Sequence, residues 1–148
     1  MFNNNMYAMF FIMFIGSFLI HMYVMPFVMT SRVQHIQLFS LNKFYNAVFM
    51  ALSMILLQTF MEPSFILTVI TLFGMHVFYF AIKYQFMVDE ENYLRDMIEH
   101  HSMALQTSKQ LLDKSINPET KQLALTILDT QQKEILQMQK MLQFSNMA

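Results

Sequence analysis

The stretch "VDEENYLRDMIEHHSMALQTSKQLLDKS", Val88 to Ser115, decides how the rest of the chain is read. Leu94, Met97, Ile98, His101, Ala104, Leu105, Ser108 and Leu112 fall on one face at helical spacing. Asp89 stands where a helix N-cap belongs, and Glu90 and Glu91 suit the positive end of the helix dipole. The helix is expected to stop near Ser115. "NPE" follows, with Asn117 as a cap and Pro118 at the first position of a second helix. That helix is expected to turn Leu123, Ala124, Ile127, Leu128, Gln131, Ile135, Met138 and Leu142 inward, and Lys121, Asp129, Lys133 and Lys140 outward. A connector this short implies an antiparallel hairpin.

Toward the N-terminus the chemistry changes. Before Lys83 the only charged residues are Arg32, Lys43 and Glu62, and every other charge follows. The chain therefore divides at about residue 82 into an apolar part, 1–82, and a soluble part, 83–148. Met6 to Met29 holds no charge, and as a helix it reaches about 36 Å, enough to cross a bilayer with some tilt. It lacks the basic start and the small-residue cleavage site of a secretory signal. Ser31 to Lys43 reads as a polar loop. Phe44 to Met61 and Phe65 to Ile82 are apolar again, separated by Glu62–Pro63. The expected fold is all-α: three transmembrane helices followed by a C-terminal antiparallel helical hairpin, in a multi-pass integral membrane protein whose partner is the lipid bilayer.

Net charge over the 148 residues is −1, which gives no basic surface for nucleic acid. There is no cysteine, so disulfides, thiolate metal sites and cysteine nucleophiles are excluded together. A metal, if bound, must be held by His, Met or carboxylate. No nucleophile triad, phosphate loop or Glu-x-x-His motif is present, and Glu99 directly precedes His100. The expectation is that the chain is not an enzyme. Of 17 methionines, 11 precede Lys83. They read either as adaptable packing or as a path for soft Cu(I), and His21 and His76 either as interhelical hydrogen-bonding groups or as functional ones.

"MIEHHSMA", Met97 to Ala104, carries the candidate site. If Lys114 faces Pro118, then to within a few residues His101 faces Gln131, Ile98 faces Glu134 and Leu94 faces Met138. His100 and His101 then meet Gln131, Glu134 and Met138 at one level, with Met97 and Met103 beside them. The candidate metal ligands are His100, His101, Met97, Glu134, Met138 and Met103, with Gln131 as an orienting group. Imidazole, thioether and one carboxylate together suit a copper ion better than zinc or magnesium. The competing reading makes His100 and His101 hydrogen-bonded core residues in a structural protein whose hairpin mediates dimerisation.

Met97, Ile98, His100, His101 and Ala104, then Gln131, Glu134, Ile135 and Met138, together resemble domain-of-unknown-function family 305. Its outline is M-I-x-H-H-x-x-A, a short connector, then Q-x-x-E-I-x-x-M. The front half resembles a branch with three N-terminal spans, and Thr107 stands where many members carry Met. The resemblance implies a ferritin-like fold and, for some members, copper binding. One hairpin supplies two of four helices, so a homo-oligomer is expected to supply the others. Arg32, Lys43, Lys83 and Arg95 would put the hairpin in the cytoplasm by the positive-inside rule. The resemblance implies the extracytoplasmic face, and that is the expectation adopted.

Overall fold

In a computed structural model, residues 4–114 and 117–145 are described, and every regular element among them is helical. The order is α1 (Asn4–Leu19), a π-helical turn (Ile20–Val24), α2 (Met25–Met29), a 3₁₀ turn (Val33–His35), α3 (Leu41–Met61), α4 (Phe65–Lys83), α5 (Glu90–Lys114) and α6 (Pro118–Ser145). This is the expected succession of three long apolar helical stretches and a hairpin. The Glu62–Pro63 break does separate two helices. The π turn lies directly before Pro26, and the Met25 N–H reaches back to the Ile20 carbonyl. Pro26 has no N–H of its own, and the wider turn is where the helix accommodates that loss.

One compact unit comprises residues 1–25 and 41–88. Within it α3 packs against both α1 and α4. A Cβ added to Gly74 would lie 3.1 Å from Leu52 Cδ1, so a glycine permits the close approach of α4 to α3. Tyr7–Met29, Leu41–Met61 and Phe65–Lys83 are long and apolar enough to cross a membrane. Their outward side chains are apolar too: Phe60 is 78% exposed and Phe65 85%. Polar groups in these helices bond inward to their own backbone. The Ser53, Thr59 and Thr68 hydroxyls donate to the carbonyls of Phe49, Leu56 and Ser64 at 2.8, 2.7 and 2.9 Å. His76 meets the Phe80 ring edge-on at 4.8 Å.

α4 ends in a Schellman arrangement, with the Phe86 N–H donating to the Ala81 carbonyl and the Gln85 N–H to that of Ile82. Gln85 therefore sits at φ 51°, where glycine is usual. Its side chain explains the exception: the Gln85 and Asn42 amides pair reciprocally at 2.6 and 3.1 Å. The Tyr45 hydroxyl also donates to the Phe86 carbonyl at 3.0 Å, tying this turn to the start of α3.

The second compact unit comprises residues 26–40 and 89–148. Its hairpin is capped as the sequence suggests. Asp89 Oδ1 accepts from the Asn92 N–H at 2.7 Å, and Asn117 Oδ1 from the N–H groups of Glu119 and Thr120 at 2.8 and 3.1 Å. The expected stop near Ser115 lies outside the described residues. The core between α5 and α6 is Ile98, Leu105, Ile135, Met138 and Leu142, flanked by Leu94, Met97 and Leu128. Leu123 does not join it: it is 60% exposed, while the next residue, Ala124, is buried. One residue turns a helix by about 100°, which carries Leu123 off the core.

The segment read as a polar connector, Ser31 to Lys43, is packed in part. Its residues Ser31 to Ser40 lie in the second unit, with His35 and Ser40 buried. They lie along α5, whose buried residues include Glu99 and Ser102 as well as the apolar positions.

Candidate functional site

The turn Glu99–His100–His101–Ser102 of α5 presents four polar side chains, Glu99 and Ser102 on one side and the two histidines around the remainder. His101 faces α6, where its Nδ1 lies 3.2 Å from Glu134 Oε2. This buried nitrogen has no hydrogen-bond partner, and it forms an ion pair with Glu134 only when the imidazole is protonated. His100 is exposed, and its ring centroid lies 6.1 Å from that of His101. Burial lowers the His101 pKa below the usual imidazole value; Glu134 acts against this and His100 with it. Burial thus favours the neutral imidazole, the form that binds metals.

His101 pairs with Glu134, three residues along α6 from the Gln131 set opposite it by the expected register, which is within the few residues to which that register is defined. Gln131 stays half-buried on α6, one turn from Glu134. Met97 packs against the hairpin core, and Met138 is a member of that core. Met103 follows His101 by two residues and so points about 200° round the helix from it. Thus His101 and Glu134 are brought together with His100 adjacent, whereas Met138 lies among apolar side chains. Among the described residues, no group of three or more His, Asp or Glu forms a metal cage within one chain.

The other two members of the turn were not anticipated as site residues. Ser102 is fully buried, and its Oγ accepts from the Ser31 N–H at 3.0 Å. It also lies 2.8 Å from Ser31 Oγ and 3.0 Å from His35 Nδ1. Glu99 Oε2 accepts from the Gln37 N–H at 2.6 Å. Burial, and then Arg32, lowers the His35 pKa, so this imidazole also favours its neutral form. The sequence does hold a signal for this cluster. Glu99 and Ser102 lie about 60° apart on α5, with Ser102 at the edge of the apolar stripe, and a loop carrying Ser, His and Gln is a chemical match for them.

The Uncharacterized protein L153 of Acanthamoeba polyphaga mimivirus is 35% identical over 107 residues, which cover 69% of this chain and 70% of the relative. No solved structure matches the chain. The family model described as Domain of unknown function (DUF305) matches residues 89–147, the whole α5–α6 hairpin with its His pair and Glu134. By that match and that relative, the chain belongs to the DUF305 family.

Proposed function

We propose that this chain is a non-catalytic, membrane-anchored module that binds a copper ion at its hairpin and buffers it or hands it on. One observation carries the reading: a buried imidazole nitrogen without a hydrogen bond, 3.2 Å from a carboxylate and next to a second, exposed histidine. His101 and Glu134 would hold the ion, His100 would join or orient them, and the Met97 thioether would bias the donor set toward copper. The three apolar helices are the anchor, as transmembrane segments.

One chain offers too few ligands for a closed site. The second copy required has a face to occupy. Tyr93, Met97, His100, Ala104 and Leu111 on α5 are spaced by three, four or seven residues, as are Leu123, Ile127, Glu134, Met141 and Phe144 on α6. Several are large and exposed, Tyr93 at 50% and Phe144 at 72%. Two hairpins joined along these stripes make a four-helix, ferritin-like bundle with both His pairs at its centre. The same stripes favour the second reading, a structural protein that dimerises through its hairpin. Copper titration of the full chain in detergent, with native mass measurement, separates the two. Saturable uptake of one ion per two chains is expected; a dimer that takes up no copper supports the structural reading and contradicts ours.

We place the hairpin on the extracytoplasmic face, following the family rather than the charges near the span ends. A cysteine introduced at exposed Gln34 is expected to react with an impermeant maleimide added to intact cells. Reaction only after lysis would put the loop and hairpin inside.

A further inference from the structure

We propose that Ser31, His35 and Gln37 are positioning residues: they clamp α5 through Ser102 and Glu99 and so hold His100 and His101 in the pose that binds the ion. The inference rests on the ion-site reading and adds to it the part of the chain that sets its geometry.

Successive residues are about 100° apart, so Glu99 and Ser102 lie about 60° apart on one side, and His100 and His101 occupy the remainder. The residues on either side of the His pair are thus the ones the loop grips. Three groups of the loop converge on Ser102 Oγ, the Ser31 N–H, the Ser31 hydroxyl and His35 Nδ1, at 3.0, 2.8 and 3.0 Å. A fourth, the Gln37 N–H, reaches Glu99 at 2.6 Å. The Ser31 N–H also approaches the Ser102 carbonyl at 3.3 Å.

The Ser31 N–H donates to Ser102 Oγ, and one placement of the remaining protons satisfies the whole set: the Ser31 hydroxyl donates to Ser102 Oγ, whose own proton goes to His35 Nδ1. A buried polar set satisfied in this way is directional, and it costs heavily to leave half made. Apolar contacts with α6 resist separation of the helices but resist rotation of α5 about its axis less well. A rotation of about 20° at a side-chain radius of about 5–6 Å moves an imidazole by about 2 Å. Ligand constellations tolerate about 0.5 Å. The clamp acts on that rotation.

The loop is built to serve. Its 3₁₀ turn is closed by the His35 N–H on the Arg32 carbonyl and the Ile36 N–H on the Val33 carbonyl, both at 3.0 Å. Thr30 donates both its N–H and its hydroxyl to the Pro26 carbonyl at 3.0 and 2.7 Å. His35 itself is only 4% exposed, so it is presented to Ser102 and not to solvent.

The test uses the full chain in detergent, with copper as the probe. Wild type, His35→Ala, Ser102→Ala and His35→Asn are compared for copper affinity, for the electron paramagnetic resonance spectrum of the Cu(II) complex, and for thermal melting. His35→Ala and Ser102→Ala are expected to bind copper at least tenfold more weakly and to give an altered, broader spectrum. In His35→Asn the amide replaces the Nδ1 contact and is expected to restore affinity and spectrum to near wild type. Wild-type affinity and spectrum in both alanine variants would overturn the positioning role alone. So would His35→Asn behaving as His35→Ala while melting like wild type. Absence of copper binding by wild type would overturn the ion-site reading and, with it, the positioning role.

Discussion

Ile135→Ala is expected to destabilise the hairpin by about 3 kcal/mol, the range in which a fully buried isoleucine loses its methyl and methylene contacts and leaves a cavity. Ile135 has no exposed surface and packs among Ile98, Leu105, Met138 and Leu142, the whole buried core between α5 and α6. A core of five side chains has little reserve, because small units bury a small fraction of their surface. The effect is therefore a large share of the stability of this unit. Leu125→Ala, at an exposed position on the same helix, is expected to change stability by no more than about 0.5 kcal/mol. Hydrogen exchange of α5 and α6 amides in the full chain reads both, since it reports local opening free energies. Equal protection in the two variants would show that the hairpin is held by something other than this core.

What the sequence made legible was what depends on near neighbours. Asp89 and Asn117 cap their helices because each reaches an N–H two or three residues away, and composition and spacing reveal such reach. The Glu62–Pro63 break is local in the same sense. The side-to-side placement of the helices was less legible. Periodicity places His101 on the face toward α6 but leaves its partner there open to within about a turn, and His101 meets Glu134. Leu123 escapes the core for a related reason: it lies at the edge of the apolar stripe, where a small rotation decides.

The contacts least visible beforehand are those of Ser31 and His35 with Ser102, and of Gln37 with Glu99. They join residues 62 to 71 positions apart. A polar loop and a polar stretch of helix are each ordinary alone, and their complementarity appears only when they are placed together. Methionine was ambiguous in sequence, and Met138 packs among apolar neighbours. Met97 touches the same core yet lies one turn from the His pair, so its thioether can serve either purpose.

The double substitution His100→Ala with His101→Ala has the largest expected effect on function. It removes both imidazoles and leaves Glu134 without its neighbour on α5, while the Ile98–Leu105–Ile135 core is untouched. Copper affinity is expected to fall at least about a hundredfold, or about 2.7 kcal/mol. His101→Ala should account for more of the loss than His100→Ala, because His101 is the half-buried partner of Glu134 and His100 is exposed. Wild-type binding should weaken as pH falls, since protons compete for the imidazoles. Burial favours the neutral form of His101, so that weakening should set in below about pH 6.5 rather than above it. The most direct measurement is equilibrium copper titration of the full chain in detergent, wild type beside the double variant, with thermal melting as a check on folding. The account predicts saturable binding by wild type and its loss in a double variant that still melts cooperatively. Equal copper affinity in the two proteins would contradict it and leave the histidines as structural residues of the hairpin.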